Sequence, residues 1–359
     1  MSGRVLAVVA VAVALVAVAV LVVLVVPDGP VPQHEEAAER FLEDYVDPDG
    51  RVVRHDEGSD TVSEGQAYAM LIAVALGDEG TFEQVWGWTR ANLQRDDGLL
   101  SWLWADGRVA DAQSASDANL DAAHALVLAG ESFDDARYTD EGARLAQAIL
   151  DHETIESEDG DLLLMAGPWA RAEGPAINPS YFSPPAFTVL AEETGDPRWD
   201  DLADSSRRHV EALLAEIALP PDWAVLEDGR RLVPATPPGD PDAMVVYGLD
   251  AARLPIRYAL SCDQDERTIA ADLWPVFSDL RAEEVRLAYD LGRAPLEDTR
   301  HPLTLVAVAA TAYADDRPGV VTDFLDEAEA LDARHPTYYG AAWVALGRLA
   351  FESDRLHRC

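Results

Sequence analysis

Three acidic residues stand in short segments whose neighbours could give them chemical work. Glu64 lies in Thr61-Val62-Ser63-Glu64-Gly65-Gln66-Ala67-Tyr68-Ala69-Met70, Asp117 in Ala115-Ser116-Asp117-Ala118-Asn119-Leu120-Asp121, and Asp250 in Tyr247-Gly248-Leu249-Asp250-Ala251-Ala252-Arg253. Carboxyl groups held in different environments make an acid/base device. One that stays protonated can give a proton to a leaving oxygen, while another that stays ionised can take one from water. Spacing alone favours simpler jobs. Thr61 and Glu64 fit a capping box, in which the glutamate reaches back to the N-cap amide. Ser116 or Asp117 can cap the helix that follows, and Asp250 can form a surface pair with Arg253 worth about a few tenths of a kcal/mol. The two readings of Glu64 predict opposite effects: burial against neighbours such as Tyr68 favours the protonated form, whereas capping a helix favours the ionised one.

The elements that must position these residues are helical. Amphipathic periodicity, broken by Gly, Pro and Asp-rich turns, predicts helices over 34–46, 61–77, 80–94, 117–132, 138–152, 184–195, 199–216, 255–262, 264–291, 301–314, 318–331 and 336–352. Strands are few. A hairpin is expected where Leu99 to Trp104 turns at Asp106-Gly107 into Arg108 to Ala110, because an Asp-Gly pair supplies the positive φ angles of a tight turn. So many helices without a strong internal linker imply helix pairs wound into one closed or stacked array.

Ahead of this region, Val5 to Val26 is an unbroken run of Ala, Val and Leu, which as a helix spans about 33 Å and matches a bilayer core. Three segments follow: 1–26 as a transmembrane signal-anchor, 27–33 as a Pro-rich spacer, and 34–359 as the globular domain. With Arg4 the lone charge on the short side, the positive-inside tendency puts the rest of the chain outside the cytoplasm, anchored by residues 5–26. A cleaved signal peptide is the alternative and would leave the domain secreted.

The formal charge of −39 comes from 66 Asp+Glu against 27 cations, all of them Arg. Nucleic acid is therefore excluded as a natural partner. The acidic residues are scattered through every segment, which suits general solvation better than a polycationic substrate. The histidines show no metal-ligand spacing, and His124 reads as a packed neutral residue. Cys262 and Cys359 could pair or remain free.

Taken in order along the chain, the segments resemble glycoside hydrolase family 8, the bacterial endoglucanases and their relatives. The Glu64 segment looks like that family's Ser-Glu-Gly-Gln/Met acid motif, and Ala115 to Phe133 looks like its signature helix. Asn178-Pro179-Ser180-Tyr181-Phe182-Ser183-Pro184, Pro221-Asp222-Trp223-Ala224, Asp250-Ala251-Ala252-Arg253 and Tyr338-Tyr339 follow in the family's order. The resemblance covers about residues 36 to 350. It implies an all-α fold, an (α/α)6 barrel with a few short β-hairpins in loops, and a substrate cleft across one end.

It further implies an inverting, endo-acting hydrolase of β-1,4-glucan that needs no cofactor and no metal. Glu64 would be the general acid, Asp250 the base, and Asp117 the residue holding the sugar at the cleavage point. An inverting pair stands about 6.5 to 9.5 Å apart to admit the attacking water. Trp102 and Tyr181 are the expected sugar-stacking residues, with Tyr68 also substrate-binding and Arg253 either substrate-binding or holding Asp250 in place, while Trp104, Trp169 and Trp223 are left to the core. Asn119 stands where the signature has Asp, Ala67 and Ala69 where Gly is frequent, and Leu249 where Tyr is usual.

Chitosan, xylan and mixed-linkage β-glucan are the alternative substrates. The other classes are a non-catalytic carbohydrate-binding protein on the same fold, and a helical-barrel lyase acting on a uronic acid. A monomer is expected, with a β-linked polysaccharide as its partner.

Overall fold

The computed structural model of the protein describes residues 32–171 and 174–356. Its helices, in chain order, are α1 (Gln33–Tyr45), α2 (Ser63–Leu76), α3 (Glu79–Asn92), α4 (Ser116–Ser132), α5 (Ala136–His152), α6 (Pro184–Thr194), α7 (Arg198–Leu214), α8 (Arg253–Ala259), α9 (Gln264–Ala271), α10 (Trp274–Phe277), α11 (Pro302–Ala314), α12 (Pro318–Arg334) and α13 (Tyr338–Glu352).

Two kinds of helix alternate, and their composition says which is which. In α2 every residue but Glu64 and Leu76 is buried, and α11 is buried from Pro302 to Ala312. A helix that is apolar all round has no face to give to water and must lie inside. By contrast α5 buries Tyr138, Gly142, Leu145 and Ile149, and α7 buries Trp199, Leu202, Ser206, His209 and Leu213, each a single stripe at helical spacing. These helices lie outside.

The packing closes a ring. α2 touches α4, α4 touches α6, α6 touches α8, α8 touches α11, α11 touches α13, and α13 returns to α2. Each inner helix carries an outer one: α1 lies against α13, α3 against α2, α5 against α4, α7 against α6, α9 against α8 and α12 against α11. This is the expected (α/α)6 barrel.

The long helix expected over 264–291 is broken. Pro275 has no N–H to continue the ladder past Ala271, so the chain makes only the short α10 before leaving helical geometry. Beyond it, Tyr289 exchanges backbone hydrogen bonds with Tyr247, both at 2.9 Å, and so pins the segment that leads to Asp250. The helix expected from residue 61 begins at Ser63, because Thr61 and Val62 pair as a strand instead.

Among the described residues strands occur only in loops. β1 (Thr61–Val62), β2 (Leu103–Ala105) and β3 (Arg108–Asp111) form one sheet, β4 (Thr154–Glu156) and β5 (Leu162–Leu164) a second, and β6 (Ala176–Ile177), β7 (Trp223–Glu227) and β8 (Arg231–Ala235) a third. The expected turn is present, with φ of 52° at Asp106 and 76° at Gly107. A second Asp-Gly pair, Asp228-Gly229, turns β7 into β8 with φ of 50° and 64°.

One expectation is corrected. Among the described residues no helix is long and apolar enough to cross a membrane. The longest of these have 17 residues, short of the roughly 20 apolar residues that a bilayer core requires. The run 5–26, on which the membrane anchor and the extracytoplasmic location rested, lies outside the described residues, and both are withdrawn. Cys262 is disulfide-bonded, and Cys359 also lies outside the described residues.

Candidate active site

Four inner helices turn their N-terminal ends toward one cleft. Glu64 sits in the first turn of α2, His301 caps α11, Tyr338 and Tyr339 open α13, and Asp117 lies in the first turn of α4. Unpaired N–H groups at such ends carry partial positive charge, which favours carboxylates. The cleft encloses about 490 Å³ and is lined by Glu64, Trp102, Asp222, Asp250, His301 and Tyr339 among others.

The motif around Glu64 can be read residue by residue. Thr61 does not cap the helix, because its hydroxyl donates to the carbonyl of Val52 and accepts from Arg51, and Val62 occupies the N-cap position without a side-chain bond. The capping-box reading therefore fails. Gly65 is needed because the Tyr338 hydroxyl lies 2.6 Å from where a Cβ would stand. Gln66, fully buried, accepts from Val52 N–H at 2.6 Å and donates to Thr89 Oγ1 at 2.8 Å and Gly50 O at 3.1 Å. This clamp ties the start of α2 to the preceding loop and to α3, leaving Glu64 to face the cleft, 25% exposed.

Arg253 joins the three carboxylates. Its guanidinium donates to Asp117 Oδ2 at 2.7 Å through Nη1 and to Asp250 Oδ1 at 2.6 Å through Nη2, and Nη1 stands 3.8 Å from Glu64 Oε2. Asp117 and Arg253 are each 1% exposed, so the pair with Asp250 is no surface contact. Asp117 also accepts from Ala118 N–H at 2.8 Å. One turn deeper, Asp121 and Arg257 repeat the pairing between α4 and α8 with bonds of 2.6 and 2.8 Å. The doubled pair fixes the register of the two helices, and hence the height of Asp117 against Arg253.

Burial pushes the Glu64 carboxyl up to about 7, against the pull of Arg253; Asp117 adds to the rise, the Tyr68 hydroxyl opposes it and Asp250 adds again. Asp250 is also raised by burial, with Arg253 drawing it back, Asp117 raising it, and the side chains of Asn178 and Trp223 stabilising its charge. Asp222 is pushed up to about 7 by burial and then by Asp250, against two backbone N–H donors.

The remaining sites expected from sequence fall in several places. Trp102 lines the cleft. Tyr181 is buried beneath Arg253, with the guanidinium 5.0 Å from its ring centre and Trp223 edge-on at 6.3 Å. Tyr68 is fully buried behind Glu64, edge-on to Trp343, and lines a second pocket with His124 and Asp121. Trp104 packs edge-on against Trp88. Trp169, left to the core by the sequence, is 39% exposed and donates its indole N–H to Ser114 O at 3.0 Å.

Asn119 has a physical role. Its side chain accepts from Leu100 N–H at 2.9 Å and donates to Glu153 at 2.9 Å, and burial pushes that glutamate up to about 8. An aspartate at this position would set a second carboxyl against the first. Leu249 lines the cleft and offers no hydroxyl there.

The model of glycosyl hydrolases family 8 matches residues 10–340. The chain belongs to that family. The chain is 29% identical over 300 residues to a probable endoglucanase of Novacetimonas hansenii, a match spanning 82% of this chain and 83% of that one. Other curated relatives align over 56%, 54% and 55% of their own length. Among solved structures, the endo-β-1,4-glucanase CMCax of Acetobacter xylinum superposes with a TM-score of 0.75 at 26% identity, over 89% of this chain and 98% of that one. A β-1,3-1,4-glucanase of Paenibacillus shares the fold, with a TM-score of 0.78 at 18% identity over 90% and 93% of the two chains. This family 8 chain is thus a glycoside hydrolase, and its carboxylate cluster lies where the barrel opens.

Asp222 and Asn178 went unassigned in the sequence although their segments were noted, and Trp223 was left to the core. The signal that could have found Trp223 was the Asp228-Gly229 pair, which marks the hairpin carrying it. Nothing local distinguishes Asp222.

Proposed function

We propose that this family 8 hydrolase cuts a β-1,4-glucan internally with inversion at the anomeric carbon, using Glu64 as general acid, Asp250 as base and Asp117 to hold the sugar at the cleavage point. The observation that carries the roles is the unequal sharing of one cation. Arg253 bonds Asp117 and Asp250 directly, at 2.7 and 2.6 Å, and stands 3.8 Å from Glu64. Where several carboxyls share one guanidinium, the group with the weakest hold on it keeps a proton at the lowest cost. Glu64 is that group.

Asp250, ionised against Arg253 and open to the cleft at 32% exposure, is placed to take a proton from water. Inversion requires the two carboxyls to stand roughly 6.5 to 9.5 Å apart, with the attacking water between Asp250 and the sugar. The glucan assignment is supported by the endoglucanase names of the relatives and by Trp102, an aromatic face within the cleft.

The test is a panel of carboxymethylcellulose, chitosan, xylan and mixed-linkage β-glucan assayed for new reducing ends, with the first-formed anomer followed by NMR. Cleavage of carboxymethylcellulose to products born as the α-anomer is expected. Activity on chitosan alone overturns the glucan assignment, and a β-anomer formed first overturns inversion.

A pH dependence follows from the same geometry. The acid works only while protonated, so kcat/KM should fall about tenfold per unit as pH rises past the Glu64 value of about 7. The base works only while ionised, so activity is also lost on the acid side, at a pH above the usual aspartate range because burial raises Asp250. A profile flat to pH 9 would remove Glu64 from the acid role.

A further inference from the structure

Asp222 closes a loop around the residue assigned as base. Its Oδ1 accepts the backbone N–H of Gly248 and that of Ala251, both at 2.8 Å. These two donors bracket Leu249 and Asp250, so one carboxylate oxygen fixes both ends of the turn that presents Asp250. The turn is built to receive it: a Cβ at Gly248 would lie 2.6 Å from Asp222 Oδ2. Asp222 is itself held, since its N–H donates to Val246 O at 2.8 Å and β7 starts at the next residue. It lines the same cleft as Asp250.

We propose that Asp222 is a positioning residue for the base: it orients the Asp250 carboxylate through the 248–251 turn. Besides this turn, the groups that face Asp250 are Arg253, Asp117, Asn178 and Trp223. The inference rests on Asp250 being the base.

The experiment compares Asp222→Ala, Asp222→Asn, Gly248→Ala and Asp250→Asn in the full chain, measuring kcat and KM on a soluble β-1,4-glucan across pH. Asp222→Ala frees the turn, and displacement of a reacting group by about 1 Å can cost on the order of 100-fold, so kcat should fall by about that factor with KM little changed. Gly248→Ala crowds the Asp222 carboxyl out of the turn and should lower kcat in the same sense. Asp222→Asn keeps a carbonyl oxygen for both N–H groups and should restore most of kcat with KM unchanged, a rescue that general loss of folding does not produce.

Parental kcat in Asp222→Ala overturns the proposal, as does an Asp222→Asn variant whose kcat falls as far as that of Asp222→Ala. If Asp222→Ala does not fold, the other two variants decide on the same criteria. Asp250→Asn separates the two levels: should it remain active, the base assignment itself fails, whatever Asp222 does.

Discussion

Glu64→Gln is expected to lower kcat on a soluble β-1,4-glucan by about 10² to 10⁴-fold, the usual worth of a general acid, while oligosaccharide binding stays near the parental value. The amide keeps the shape and a hydrogen bond but has no proton to give. Folding should not suffer. A carboxyl raised from 4.5 to about 7 on folding contributes stability that is present below pH 4.5 and is lost as pH rises toward 7. Its neutral replacement escapes that loss, so at pH 8 the variant should unfold at or above the parental temperature. Reducing-end assays, calorimetric binding and thermal melts check the three parts. A variant as active as the parent would falsify the acid assignment.

Arg253→Met should carry the largest structural penalty in the site. The guanidinium is 1% exposed and faces Asp117, also 1% exposed, as well as Asp250. Removing one partner of a buried pair leaves an uncompensated charge and costs about 3 to 5 kcal/mol. Here the orphaned charge would be two carboxylates with Glu64 close by, so both activity and stability should collapse at neutral pH. Acid should restore part of the stability, because protonating Asp250, which burial already favours, removes part of the repulsion. Arg253→Lys keeps one charge but cannot bridge two carboxylates in a fixed fork, and should fall between parent and Met. Chemical denaturation at pH 7 and pH 5 measures this. A Met variant within about 1 kcal/mol of the parent at pH 7 would mean that Asp117 and Asp250 do not depend on this cation.

Much of the fold was legible because its signals are local. Apolar residues around the whole of α2 and α11 mark inner helices, and single stripes on α5 and α7 mark outer ones. Asp106-Gly107 announced its turn, and Asp228-Gly229 carried the same signal without being used. The one long helix misjudged, 264–291, contained its own breaker in Pro275. Ring closure was not legible, since the contact between α13 and α2 joins residues far apart in the chain and no periodicity records it.

For the site, the sequence by itself determined residue types and the order of motifs: a glutamate before Gly-Gln, an aspartate opening an Ala-rich helix, an aspartate three residues before an arginine. It could not separate an acid from a cap, or a buried hub from a surface pair. Only the tertiary structure decided those questions. Thr61 was diverted to Val52, which emptied the capping box, and Arg253 was brought against Asp117, 136 residues earlier in the chain. Asp222 found its partners in the turn at 248–251 in the same way. The reason is physical: spacing encodes which neighbours along a helix or turn can touch, whereas the proton affinity of a carboxyl depends on burial and on charges that reach it through space.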